Sequence, residues 1–160
     1  VRHCLDTDSR DEAIDLVVHL ALESFNRRPE AFAWIDEAVR RYGDQPSARR
    51  HELLGAASYV AWTTLNIDRA VLLAEEALAL EPAPGASLDI LPQAGAMGAY
   101  NFSGQPLKAV VVATDALARS GENMPLSTSA WLRAKISNNA FTWVPFRATR
   151  TSEFSNGKAA

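Results

Sequence analysis

Between residues 67 and 80, Ala70, Leu73, Ala74, Ala77 and Leu78 recur at intervals of one, three or four residues, with Asp68, Glu75 and Glu76 between them. That spacing gathers the apolar side chains on one helical face and leaves the carboxylates on the solvent side. A helix is predicted from about Ile67 to Leu80, with Asn66 as a cap for its first N–H groups and Glu81-Pro82 as its stop. The stretch before it, His51 to Thr64, is rich in Leu, Ala, Val and Trp and is broken only by Gly55. It predicts a second helix, and the Leu65-Asn66 turn joins the two into a hairpin.

The hairpin repeats. Stepping 39 residues from Ala70 in either direction meets Ala31 and Ala109, and a further step meets Ala148. Ile35, Ala74 and Ala113 share a second register, and Ala38, Ala77 and Ala116 a third. Gly43, Pro82 and Gly121 stand at the position where the helix stops. Small residues at these places let the two helices of a hairpin approach closely. In the first copy, Ser9 to Glu12 reads as a capping box opening a helix to about Phe25. Asn26-Arg27-Arg28 turns the chain, and Pro29 opens a helix that ends in Arg40-Arg41. In the third copy Ser87 leads a helix to about Phe102, and Pro106 opens its partner. Ser127 caps a last helix to about Phe141 or Thr142, after which the apolar pattern dissolves.

The predicted fold is therefore all-α: an α-solenoid of about three and a half hairpins, about seven helices, with a 39-residue period. One repeat domain spans 1–148, its hairpins at about 10–43, 47–82 and 87–121 with a partial one at 127–148. A frayed or disordered tail is expected over 149–160.

The repeat resembles the tetratricopeptide (TPR) family, with Ala70, Ala74, Ala77 and Pro82 at that family's spacing. Its period is longer than the family's about 34 residues, the surplus lying in the loops YGDQPSA, EPAPGAS and SGENMPLS. Leu54, Ser58 and Ala61 hold the places of the family's Trp, Gly and Tyr, so the array is TPR-like and divergent. The texture of GAASYVAWTTLNIDRAVLLAEEALAL also resembles the C-terminal helical regions of bacterial, especially actinobacterial, signal-transduction ATPases. These include LuxR-type, MalT-like and cyclase-linked regulators. The resemblance implies an upstream P-loop module, or a helix-turn-helix, in a parent chain. The opening on Val1 rather than Met reads as a fragment of such a chain.

Composition narrows the function. The chain has 160 residues, 48% apolar and 22% charged, with a net charge of −3. These values are ordinary for a globular protein and give no general attraction to nucleic acid or anionic lipid. No apolar run reaches the about 18 residues needed to span a bilayer. A single cysteine, Cys4, cannot form an internal disulfide, and no leader pattern opens the chain, so a cytoplasmic location is expected. Charge is uneven: residues 51–89 hold Arg69 against six acids, whereas from 129 onward five basic residues face Glu153 alone. This asymmetry favours association with a partner or another module.

No catalytic pattern is present. There is no phosphate-binding glycine loop, no H-E-x-x-H, no G-x-S-x-G and no cysteine pair. His3, His19 and His51 are too far apart in sequence for a compact metal site, and Glu75-Glu76 and Asp36-Glu37 read as solvated faces. No catalytic residue, metal or cofactor is assigned.

Aligning the first helices by the period places Leu20, Tyr59, Gly98 and Ser137 in one row of the concave face. Glu23, Trp62 and Asn101 form a second, and Ser24, Thr63, Phe102 and Phe141 a third. Tyr59, Trp62, Thr63, Asn101 and Phe102 are the candidate partner-binding residues, for an extended peptide or a helix. The opposing reading is that Tyr59, Trp62, Phe102 and Trp131 pack between neighbouring hairpins as core. The function expected is a non-catalytic protein–protein interaction or regulatory sensor module, part of a larger signal-transduction ATPase or transcription regulator. It would bind a protein or peptide in the groove, or an adjacent module of the same chain, and neither nucleic acid nor membrane. The alternatives are a structural accessory region of a cyclase or ATPase, or a domain that binds a small inducer.

Overall fold

The computed structural model describes residues 1–7, 9–23, 29–80, 90–120 and 126–142, and among them every regular element is a helix. The order is α1 (Arg2–Asp6), α2 (Arg10–Glu23), α3 (Pro29–Tyr42), α4 (Arg50–Thr63), α5 (Ile67–Ala79), α6 (Leu91–Phe102), α7 (Pro106–Ser120) and α8 (Leu126–Thr142). Each helix packs on the next in sequence, and α2, α4 and α6 form a row in which α4 touches both of its neighbours. The last helix, α8, packs on α7 and stands off α6.

Alanine explains how the helices come so close. Ala31, Ala70 and Ala109 are buried, as are Ile35, Ala74 and Ala113, and Ala38, Ala77 and Ala116. A side chain ending at Cβ costs little rotamer entropy and lets a facing backbone approach. Within the second hairpin, the buried Ser58 hydroxyl donates to the carbonyl of Ala70 at 2.8 Å, tying α4 to α5.

The turns after α4 and α6 share one design. Leu65 and Gly104 both have positive φ, 64° and 75°. In the first turn Leu65 N–H donates to Trp62 O and Asn66 N–H to Ala61 O. In the second, Gly104 N–H donates to Asn101 O and Gln105 N–H to Tyr100 O. These are paired bonds of the Schellman type, which satisfy the last free carbonyls of a helix through one left-handed residue. Each atom of the second turn lies 39 residues after its counterpart in the first.

Exposed ion pairs repeat in the same way. Arg69 on α5 reaches Asp36 on α3 at 2.7 Å, and Lys108 on α7 reaches Glu75 on α5 at 3.2 Å. Both partners of the second pair lie 39 residues after those of the first. Arg50 on α4 pairs with Glu76, and Glu37 pairs with Arg40 and Arg41. Asp36, Glu75 and Glu76 thus link helices at the surface, whereas Glu37 pairs within α3.

Several expectations are corrected. Eight helices occur among the described residues rather than about seven, because α1 forms ahead of the first hairpin. A five-residue helix shows no periodicity to read; it is held by buried Leu5, whose carbonyl accepts from the guanidinium of Arg41. Asn66 occupies the cap position of α5 without a side-chain cap bond. Ser127 lies inside α8, which opens at Leu126. The turn at 26–28, Pro82, Ser87, Gly121, Pro145, Ala148 and the tail 149–160 lie outside the described residues.

Candidate functional site

The row formed by α4 and α6 is closed by glycine. A Cβ placed on Gly55 would lie 2.5 Å from the backbone nitrogen of Pro92, and one on Gly95 would lie 2.8 Å from Gly55 O. One turn further along, a Cβ on Gly98 would run into the indole of Trp62. The absence of a side chain at 98 is what lets Trp62 lie flat on α6.

Trp62 in turn organises an aromatic cluster. Its ring meets Tyr59 edge-on, 5.3 Å between centroids at 82°, and stacks on Phe102, 5.3 Å at 18°. Both arrangements suit the ring quadrupoles. Tyr59 is buried, Trp62 half-buried, and Phe102 is 57% exposed. Burial pushes the Tyr59 phenol up to about 12, so it is neutral at ordinary pH. Tyr100, on the side of α6 nearer α7, is raised as well, by burial first and then by Glu75. Lys108 opposes that shift from 5.1 Å over its ring.

The exposed edge of the cluster forms one wall of a cleft of about 380 Å³. Ala94, Met97, Gly98, Asn101 and Phe102 of α6 continue that wall. The opposite wall is α8, through Ser127, Thr128, Trp131 and Lys135. Trp131 is 38% exposed, and Lys135 holds its Nζ 5.8 Å from that ring's centroid, within cation–π range. The side-chain oxygen of Asn101 is buried without a hydrogen-bond donor among the described residues.

Of the five residues singled out in sequence, Tyr59, Trp62, Asn101 and Phe102 line this cleft. Thr63 does not; it is half-buried, and its hydroxyl donates to Val60 O within its own helix at 2.7 Å. Met97 and the α8 residues were not singled out as binding residues. The sequence spacing did carry a signal for the cleft. The position 39 residues after Trp62 is Asn101, and that after Gly98 is Ser137. The large ring that fills the space between α4 and α6 therefore has a small polar counterpart between α6 and α8.

Elsewhere the titratable groups make structural contacts. Arg49 bridges Glu52 and Asp15, joining α4 to α2; burial alone would lower its pKa, but these two carboxylates raise it overall. His19 is exposed beside the Asp15 carbonyl, and buried His51 has Nδ1 3.1 Å from Ala48 O. Cys4 Sγ lies 3.9 Å from Glu12. Among the described residues no group of three His, Cys, Asp or Glu could hold a metal ion. Among them, too, no helix is long and apolar enough to cross a membrane. Comparison with protein-family models, with curated proteins and with solved structures found no match.

Proposed function

We propose that this chain is a non-catalytic recognition module, a section of a TPR-like α-solenoid that takes up a segment of a partner protein, or an adjacent module of its own chain, between α6 and α8. The observation that carries the reading is the cleft itself, of about 380 Å³, edged by the exposed rings of Phe102 and Trp131. Exposed aromatic side chains beside a concavity are the usual anchors of an interface. The solenoid reading is supported by two features that recur 39 residues apart: the left-handed turns at Leu65 and Gly104, and the ion pairs Asp36–Arg69 and Glu75–Lys108. In this reading the array is cytoplasmic and belongs to a bacterial signal-transduction ATPase or transcription regulator, restraining it until a partner binds. A P-loop or cyclase module in the adjoining coding sequence would support that placement; its absence would remove it.

A small-inducer site is the second reading, since the cleft volume lies within the about 300–1,000 Å³ of ligand pockets. Trp62→Ala does not separate structure from binding, because the indole fills the space over Gly98. Phe102→Ala does. Peptides selected on the chain from a displayed random library should bind about tenfold more weakly to Phe102→Ala, with helicity and melting unchanged. Peptides indifferent to both Phe102→Ala and Trp131→Ala would overturn the reading.

A further inference from the structure

We infer that the cleft between α6 and α8 selects an acidic segment anchored by an aromatic or large aliphatic side chain, with Lys135 as the selecting charge. The inference rests on the reading of this chain as a recognition module and names the chemistry of its partner.

The apolar half follows from the walls. The Trp62–Phe102 stack on one side and Trp131 on the other offer carbon surface, and Phe102 and Trp131 are exposed. An anchor buried there gains area against surfaces already held in place, so little ordering entropy is lost.

The charge half follows from what surrounds Lys135. Among the described residues that line the cleft it is the sole charged one, and none of them is a carboxylate. Helix α6, Leu91–Phe102, contains no charged residue, and α8, Leu126–Thr142, contains Arg133 and Lys135 with no acid. Among the described residues Lys135 makes no ion pair; its ammonium rests over Trp131. This local excess of positive charge lies in a chain whose net charge is −3. The first turn of α8, with Ser127 and Thr128, borders the same opening and adds the positive end of its helix dipole. A carboxylate next to the buried anchor meets this field. Ser127 and Thr128 offer hydroxyl groups to the segment's backbone, and Asn101 offers an amide.

The test selects a random peptide library on the full chain and on Lys135→Glu, sequences the recovered peptides and measures their affinities by fluorescence polarisation. Lys135 is exposed, so both proteins should give the same circular dichroism. Peptides from the unaltered chain should carry Phe, Trp, Tyr, Leu or Met beside Asp or Glu. They should bind Lys135→Glu about tenfold more weakly and Lys135→Gln to an intermediate degree. Selection on Lys135→Glu should enrich Lys and Arg instead. Apolar anchors with no acidic preference, or an acidic preference that survives Lys135→Glu, would overturn the charge assignment and leave the recognition reading standing. Peptides that ignore Phe102→Ala and Trp131→Ala would remove both. The same variants are titrated with 2-naphthoate and 2-naphthamide. Binding of naphthoate that is lost in Lys135→Glu, with no peptide recovered, would give the site to a small aromatic carboxylate and overturn the proposal.

Discussion

The space between α4 and α6 and the space between α6 and α8 are built from corresponding stretches of the chain, yet one is closed and the other is a cleft. Between α4 and α6, Gly55 meets the backbone of Pro92, Gly95 meets Gly55 and Ser58, and Trp62 lies on Gly98. In the other space the counterparts of Gly55, Trp62 and Gly98 are Ala94, Asn101 and Ser137. Two features that closed the first space are lost: a glycine that lets the backbones touch, and a large ring that fills what remains. The turn after α6 reproduces the turn after α4 bond for bond, but α8 stands off α6 where α6 packs on α4. The space between α6 and α8 is left as a cleft where the space between α4 and α6 is filled by an indole.

Steric substitution should break the comparison most sharply. In an open helical position, Gly→Ala stabilises by about 1 kcal/mol through helix propensity. At Gly55 the new methyl would lie 2.5 Å from Pro92 N, a backbone atom that cannot turn aside. Gly55→Ala is therefore expected to destabilise by about 3 kcal/mol, read from urea unfolding. The sign is diagnostic, because a gain would mean that α4 and α6 are not in contact there. On the other side Ala94, buried but bordering the cleft, has open space on one flank. Ala94→Leu should therefore cost less than Gly55→Ala, about 1 kcal/mol, while narrowing the cleft and weakening peptide uptake.

A smaller effect, of opposite sign, is expected at Asn101. Its side-chain oxygen is buried with no donor among the described residues, which costs free energy. Asn101→Leu removes that cost and adds carbon to the wall, and should raise stability by about 1 kcal/mol. The same variant should bind selected peptides more weakly. A destabilised Asn101→Leu would show that the amide is already satisfied in the free protein.

The two spaces were unequally legible in the sequence. The helices and their packing faces could be read because Ala31, Ala70, Ala109 and their companions are small for a reason that repeats, and repetition separates signal from an alanine-rich background. Tyr59, Trp62, Asn101 and Phe102 could be placed near one another because aligning the chain at a 39-residue spacing brings them into adjacent rows, and all four line the cleft. The second wall of the cleft could not, since the stand-off of α8 from α6 depends on three-dimensional packing against α7. Trp131 and Lys135 occupy no distinctive place in the repeat. Thr63 shows the limit from the other side. It shares a row with Phe102, yet a hydroxyl bonded to its own helix at Val60 reaches nothing across the groove.

The smallest expected effect tests whether the two hairpins really share a backbone and differ only in their side chains. Leu65 and Gly104 hold corresponding left-handed positions, but only glycine adopts that conformation without a steric cost. Leu65 is 73% exposed, so its side chain contributes little packing to offset the strain. A Cβ at Gly104 meets nothing within 4 Å, so the glycine there serves conformation rather than close approach. Leu65→Gly should then stabilise the protein by about 0.5 kcal/mol, the relief of strain exceeding the entropy that a glycine adds to the unfolded chain. Gly104→Leu should lose a similar amount or more. Because both residues are remote from Lys135 on the chain and neither lines the cleft, peptide affinity should be unchanged in both variants. If Leu65→Gly instead destabilises, the Leu65 side chain is held by contacts that Gly104 lacks, and the two turns are alike in hydrogen bonding only.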